Sequence, residues 1–251
     1  ERRCGATWQH QERALEAIQR AFDSLDGRPE DKLGAHERQL RAALFLARGN
    51  IIRSRAFGDE SSLKEEALSS YHSGLNSLDD GDGTELRGLL RHALGVLHSD
   101  FASSRSDLEI GVRNLDAAVA DFSDNPIPRA RALVARAPIQ SLLQRQSEAH
   151  ADIRAARAAF LAQGDIHGSA TALFARGEIL ATHLDSGARK SAAESFLNAG
   201  AAFANAHDPA RASGSLELGA DILVELSSAS HNQAFLGRSR KALLDAIALT
   251  E

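Results

Sequence analysis

Small residues recur in the middle of alternate amphipathic helices at Gly49, Gly95, Ala137, Gly177 and Gly219, in steps of 46, 42, 40 and 42 residues. A second series marks the helices between them. There a large residue directly follows a small one at Phe22, Leu75, Val119, Phe160 and Phe203, in steps of 53, 44, 41 and 43 residues. Two interleaved series with nearly one period restrict the chain to a stack of helix pairs. A Gly or Ala at such a site lets the neighbouring helix come close, while the adjacent large residue fills the layer between pairs. One pair cannot bury its own apolar faces, but a stack of five can.

The expected fold is therefore all-α: an α-α superhelix of about eleven antiparallel helices forming one repeat domain over 1–251. A lone helix at 11–25 precedes repeats at about 32–78, 84–122, 126–163, 166–206 and 209–249. In the lone helix Leu15, Ile18, Phe22 and Leu25 share a face, and Asp26-Gly27-Arg28-Pro29 ends it. It reads as the second helix of a repeat whose first helix is missing or lies outside the chain, with Trp8 packed on its start or, as the lesser alternative, used in binding. Ala43–Leu78 is the best-preserved copy.

Local signals place the helix ends. Ser62 with Glu65, and Ser106 with Glu109, have the spacing of a capping box, and Asp208-Pro209 suits an N-cap followed by the first helical position. Pro138 falls inside the helix opened by Asn125-Pro126, where it should kink or shorten it. The loop Asp79-Asp80-Gly81-Asp82-Gly83 holds three acids without the ligand order of a calcium loop, and reads as a solvated turn.

Composition narrows the function. Aromatics make up only 5% of a chain that is 43% hydrophobic, which favours helices meeting through small residues over a β-sheet core. A net charge of −5 argues against broad nucleic-acid binding. The single cysteine, Cys4, excludes an internal disulfide framework and fits a reducing compartment, so a cytoplasmic location is expected. No apolar run suits a membrane span. Ten histidines are present, but none falls in H-E-x-x-H or another compact ligand pattern, and Cys4 with His10 makes no convincing nucleophile–base pair. Phosphate-cradling loops and nucleophile elbows are absent from the sequence. Neither catalysis, a cofactor nor a metal is expected.

The mid-helix glycines Gly49, Gly95, Gly177 and Gly219, the small–large pairs, and Leu218-Gly219 with Ile222 resemble the tetratricopeptide repeat family. The likeness covers most of 11–249. Each repeat is degenerate, and the period exceeds the family's 34 residues. Over 43–122 the longer form, with RSRAFGDESSLKEEA after Gly49-Asn50, is similar to the extended repeats beside caspase-like CHAT protease domains in bacteria. The resemblance implies a protein- or peptide-binding scaffold whose first helices line a concave groove. Carried over from the glycine register, that groove should include Leu46, Asn50 and Arg53, then His92, then Arg131 and Val134, then Phe174 and Glu178, then Leu216 and Ala220. Asn50 matches the family's groove asparagine, which can hold a peptide backbone with its amide. Arg53 and Arg131 suit carboxylates. The family's fuller basic clamp is not reproduced, and each of these residues has a helix-packing role as its alternative. A second reading is a ligand-sensing regulatory module that controls an effector domain or partner, such as a protease or transcription regulator.

Overall fold

The structure is a computed structural model; it describes residues 2–25, 33–55, 61–79, 81–230 and 232–249, with the backbone alone at 2–8 and 61. The expectations for the side chains of Cys4 and Trp8, for the break at 26–29 and for the part of RSRAFGDESSLKEEA at 56–60 lie outside these residues. Among the described residues the fold is an all-α helical solenoid of eleven helices. They are α1 (Arg2–Leu25), α2 (Ala35–Arg55), α3 (Ser61–Asn76), α4 (Thr84–Asp100), α5 (Arg105–Asp121), α6 (Pro126–Leu142), α7 (Gln146–Ala162), α8 (Ile166–Ala181), α9 (Ser186–Asn205), α10 (Pro209–Ser230) and α11 (Gln233–Ala248). No described helix is long and apolar enough to cross a membrane.

The helices fall into two compact units, Glu1–Ser123 and Asp124–Glu251. In the first, each of α1 to α4 packs on its successor, and α2 also touches α4. In the second, each of α6 to α10 packs on its successor, and α6 touches α8. Contact between helices two apart in sequence is what a stack of pairs requires, because first helices then lie side by side.

The glycine series is a packing device. A Cβ built on Gly49 would lie 2.4 Å from the Tyr71 ring on α3, one on Gly95 2.5 Å from Leu115 on α5, and one on Gly177 2.7 Å from Phe196 on α9. Each would collide with the large side chain of the partner helix. Gly219 faces backwards instead, 2.9 Å from Leu197 on α9. Contacts between pairs use other glycines, one from the small–large pair Gly74-Leu75 and one, Gly200, outside both series. Gly74 approaches Leu90 on α4, and Gly200 approaches Leu216 on α10. Around these contacts the first unit buries a core that includes Ile52, Tyr71, Leu90, Leu94 and Leu97. In the second unit Phe196 and Leu223 centre one cluster and Phe203 another.

Several helix ends differ from expectation. The capping box on α5 is made by Ser104 with Asp107, not Ser106 with Glu109. The run Ser103-Ser104-Arg105-Ser106-Asp107 offers several serines, and the helix starts at the earlier one. The Asp107 carboxyl accepts from the backbone of Ser103 and from both serine hydroxyls, which brings its pKa down to about 2. Ser62 lies inside α3, which begins at Ser61. Asp208 does cap α10, accepting from the Arg211 amide at 3.1 Å. Pro138 does not shorten α6, which continues to Leu142. In the acidic loop Asp82 is clamped rather than solvated: the Arg38 guanidinium donates to it at 2.7 Å and reaches Asp79 at 3.1 Å.

Short connections hold the second unit's pairs in register. Gln144, Gly164 and His207 each take a left-handed backbone, and the amide after it bonds a carbonyl five residues back: Arg145 to Gln140, Asp165 to Phe160 and Asp208 to Phe203. This is the helix-ending turn in which a left-handed residue satisfies the last carbonyls. Only one of the three positions is glycine, so composition alone gave little sign of it.

Candidate functional site

Helices α2 and α4 enclose a cleft of about 460 Å³ in the first unit. Residues one or two turns apart on α2 and on α4 point into it: Leu46, Asn50 and Arg53 from the first helix, Leu89 and His92 from the second. Four of these, Leu46, Asn50, Arg53 and His92, are the groove positions expected from the glycine register. The fifth, Leu89, is an exposed leucine that the register did not include.

The polar groups on the cleft wall are held from behind. Asn50 Oδ1 accepts a hydrogen bond from the Tyr71 hydroxyl at 2.9 Å, so the oxygen is engaged and the amide N–H groups face outward to donate. Arg53 Nε donates to Asp100 Oδ2 at 3.0 Å, which fixes the guanidinium at the cleft's edge while leaving it partly exposed. Burial pushes the Tyr71 hydroxyl up to about 12; Arg53 works against that rise and Asp100 adds to it.

Tyr71 is the only tyrosine, so its ionisation can be followed directly by ultraviolet absorbance. In the folded chain it is expected to titrate near pH 12, against about 10 after unfolding. The folded state favours the neutral hydroxyl. Its contribution to stability is therefore complete below the unfolded value and fades as pH rises through the folded one. Titration at the ordinary tyrosine value in the folded chain would show the ring to be solvated.

In the second unit α8 and α10, with α9 behind them, enclose a cleft of about 590 Å³. Phe174, Phe203 and Leu218 make its apolar part, and Arg211, Glu217 and Asp221 supply charge at its edge. Phe174 is braced edge-on by Phe196, with ring centroids 5.3 Å apart, and Arg211 lies 5.6 Å over the Phe203 ring. Glu178 follows Phe174 by one turn on α8. Part of its side chain reaches solvent, yet the protein packed around its carboxyl raises its pKa.

Not every expected groove residue falls in a cleft. Arg131 is exposed on α6 and lines neither of the two, and Val134 is buried. Leu216 and Ala220 are corrected outright: both are buried, Leu216 against Gly200, and the open face of α10 carries Gly214, Glu217, Leu218 and Asp221 instead. The register slips there because Leu216 and Leu218 are both apolar and lie in a helix rich in Ser, Gly and Ala. Periodicity alone did not say which leucine faces the core.

Fold and clefts together define a helical-repeat protein with grooves along its first helices. No family model matches the chain, and no curated protein matches it. Among solved structures it is similar in fold to BtubC (BKLC) from P. vanneervenii, with a TM-score of 0.70 and 14% sequence identity, over 98% of this chain and 91% of that one. At that identity the likeness concerns the fold alone.

Proposed function

We propose that this chain is a protein- or peptide-binding scaffold that holds an extended segment of its partner against its first helices, without catalysis or a cofactor of its own. The observation that carries the reading is the cleft between α2 and α4, where Leu46, Leu89, His92, Asn50 and Arg53 lie together on neighbouring first helices. The Asn50 amide suits a peptide carbonyl, Arg53 a carboxylate and Leu89 an apolar side chain. The resemblance to tetratricopeptide repeats supports the same use of this surface. Net charge disfavours nucleic acid as the partner.

A library of random peptides displayed on phage and panned against the full chain tests this. Selected peptides are expected to lose about tenfold in affinity for Arg53→Gln and for Leu89→Ala, since a few central contacts dominate such interfaces. Both residues are partly exposed, so neither change should disturb the core. Peptides that bind both variants as tightly as the parent would remove the cleft from the account.

The alternative of a ligand-sensing regulatory module draws on the cleft at Phe174. Its volume and apolar walls fall in the range of small-molecule sites.

A further inference from the structure

A third cleft, of about 560 Å³, lies in the second unit between α7 and α9 with α8 beneath. On α8 it takes Leu173, Arg176 and Leu180, a different face from the one that carries Phe174 into the apolar cleft. It is thus separate from the first-helix grooves and independent of their reading. On α7 the spacing His150, Arg154, Arg157, Leu161 follows one helix face, so a single stripe of α7 turns its charge into the cleft.

The charge there is unbalanced. Three arginines and a histidine line the cleft, and no carboxylate does. Elsewhere arginines at helix contacts are matched by acids, as in Arg53–Asp100, Arg91–Asp121 and Arg136–Asp152. Arg154, Arg157 and Arg176 have no ion-pair partner among the described residues. The excess is local, because the whole chain carries a net charge of −5. The field reaches His150: burial first, then Arg176, Arg154 and His183, lower its pKa and favour the neutral ring. Like charges gathered at one concave site are relieved by an anion placed between them.

We propose that this cleft binds the phosphoryl group of a phosphomonoester, with Arg154, Arg157 and Arg176 holding the phosphate oxygens and Ile153, Leu161 and Leu173 taking the organic part. The donor count selects the anion. Three guanidinium forks exceed what the two oxygens of one carboxylate can accept, whereas a phosphomonoester brings three terminal oxygens and nearly two charges. A bare inorganic phosphate would leave the apolar wall uncovered. A nucleic-acid backbone would need cations repeated along an extended surface, whereas these three arginines gather in one cleft. The same chemistry is offered by a small organic phosphate and by a phosphorylated protein segment.

Calorimetric titration of the full chain with phenyl phosphate, benzoate and a phosphoserine peptide tests the assignment. Phenyl phosphate is expected to bind at least about tenfold more tightly than benzoate, and each of Arg154→Gln, Arg157→Gln and Arg176→Gln to weaken it by about tenfold, as loss of a charge-assisted contact should. Arg240→Gln, an exposed arginine on α11, should leave binding unchanged. The His150 imidazole, followed by NMR, should gain basicity when phenyl phosphate is bound. A phosphoserine peptide that binds tighter than phenyl phosphate would identify a protein segment as the source, and equal affinity a small organic phosphate. The proposal is overturned if neither phosphate binds, if benzoate binds equally well, or if the triple variant binds as the parent does while its circular dichroism shows it folded.

Discussion

Replacing Asp152 with alanine is expected to destabilise the 124–251 unit by about 3–5 kcal/mol, the cost of breaking a largely buried ion pair from one side. Asp152 on α7 takes two bonds from Arg136 on α6, Nε to Oδ2 at 2.8 Å and Nη2 to Oδ1 at 2.7 Å. Side-chain exposure is 9% for Asp152 and 16% for Arg136. Alanine withdraws both bonds while the guanidinium stays mostly out of water. The pair itself need not be strongly stabilising, because two charges have been taken from solvent to make it. Arg136→Met with Asp152→Leu should therefore recover most of the loss. Urea unfolding of the single and double variants separates the two statements. A cost for Asp152→Ala of under about 1 kcal/mol would mean that the pair behaves as an exposed one.

Gly49→Ala is expected to cost about 2 kcal/mol, although alanine is the better helix former. The new Cβ would sit 2.4 Å from Tyr71 Cε1 and within 2.9 Å of two more ring atoms. Tyr71 is fully buried and its hydroxyl is tied to Asn50, so the ring has nowhere to withdraw. Gly237→Ala on α11 provides the contrast: nothing lies within 4 Å of its Cβ position, and the change should stabilise by about 0.5–1 kcal/mol through helix propensity alone. Opposite signs for one substitution type, read by thermal or urea unfolding, would establish that Gly49 serves close helix approach. Equal stabilisation at both positions would contradict the packing account.

Period and composition made most of this fold legible. Every expected helix is present, and Gly49, Gly95 and Gly177 mark close contacts within pairs, whereas Gly219 packs on the pair before it. Four of the residues that line the α2–α4 cleft, Leu46, Asn50, Arg53 and His92, follow from Gly49 and Gly95 sitting in the same register on two first helices, and Leu89 does not. Pairings across helices were not legible. Arg136 and Asp152 lie 16 residues apart, on helices whose facing surfaces no single sequence specifies. The sequence also places Arg136, Arg145, Arg154 and Arg157 within one stretch of the chain, with nothing local to separate the neutralised Arg136 from those left open in a cleft. On α10 two leucines competed for one buried position, and the register followed the wrong one.

The most direct test of the groove uses a display-selected peptide that carries a benzophenone group, with cross-links mapped by mass spectrometry. Adducts are expected on the facing surfaces of α2 and α4, at Leu46, Leu89 and His92, and should disappear when unlabelled peptide competes. Adducts confined to α3 and α5, or spread evenly over both units, would contradict a first-helix groove as the binding surface.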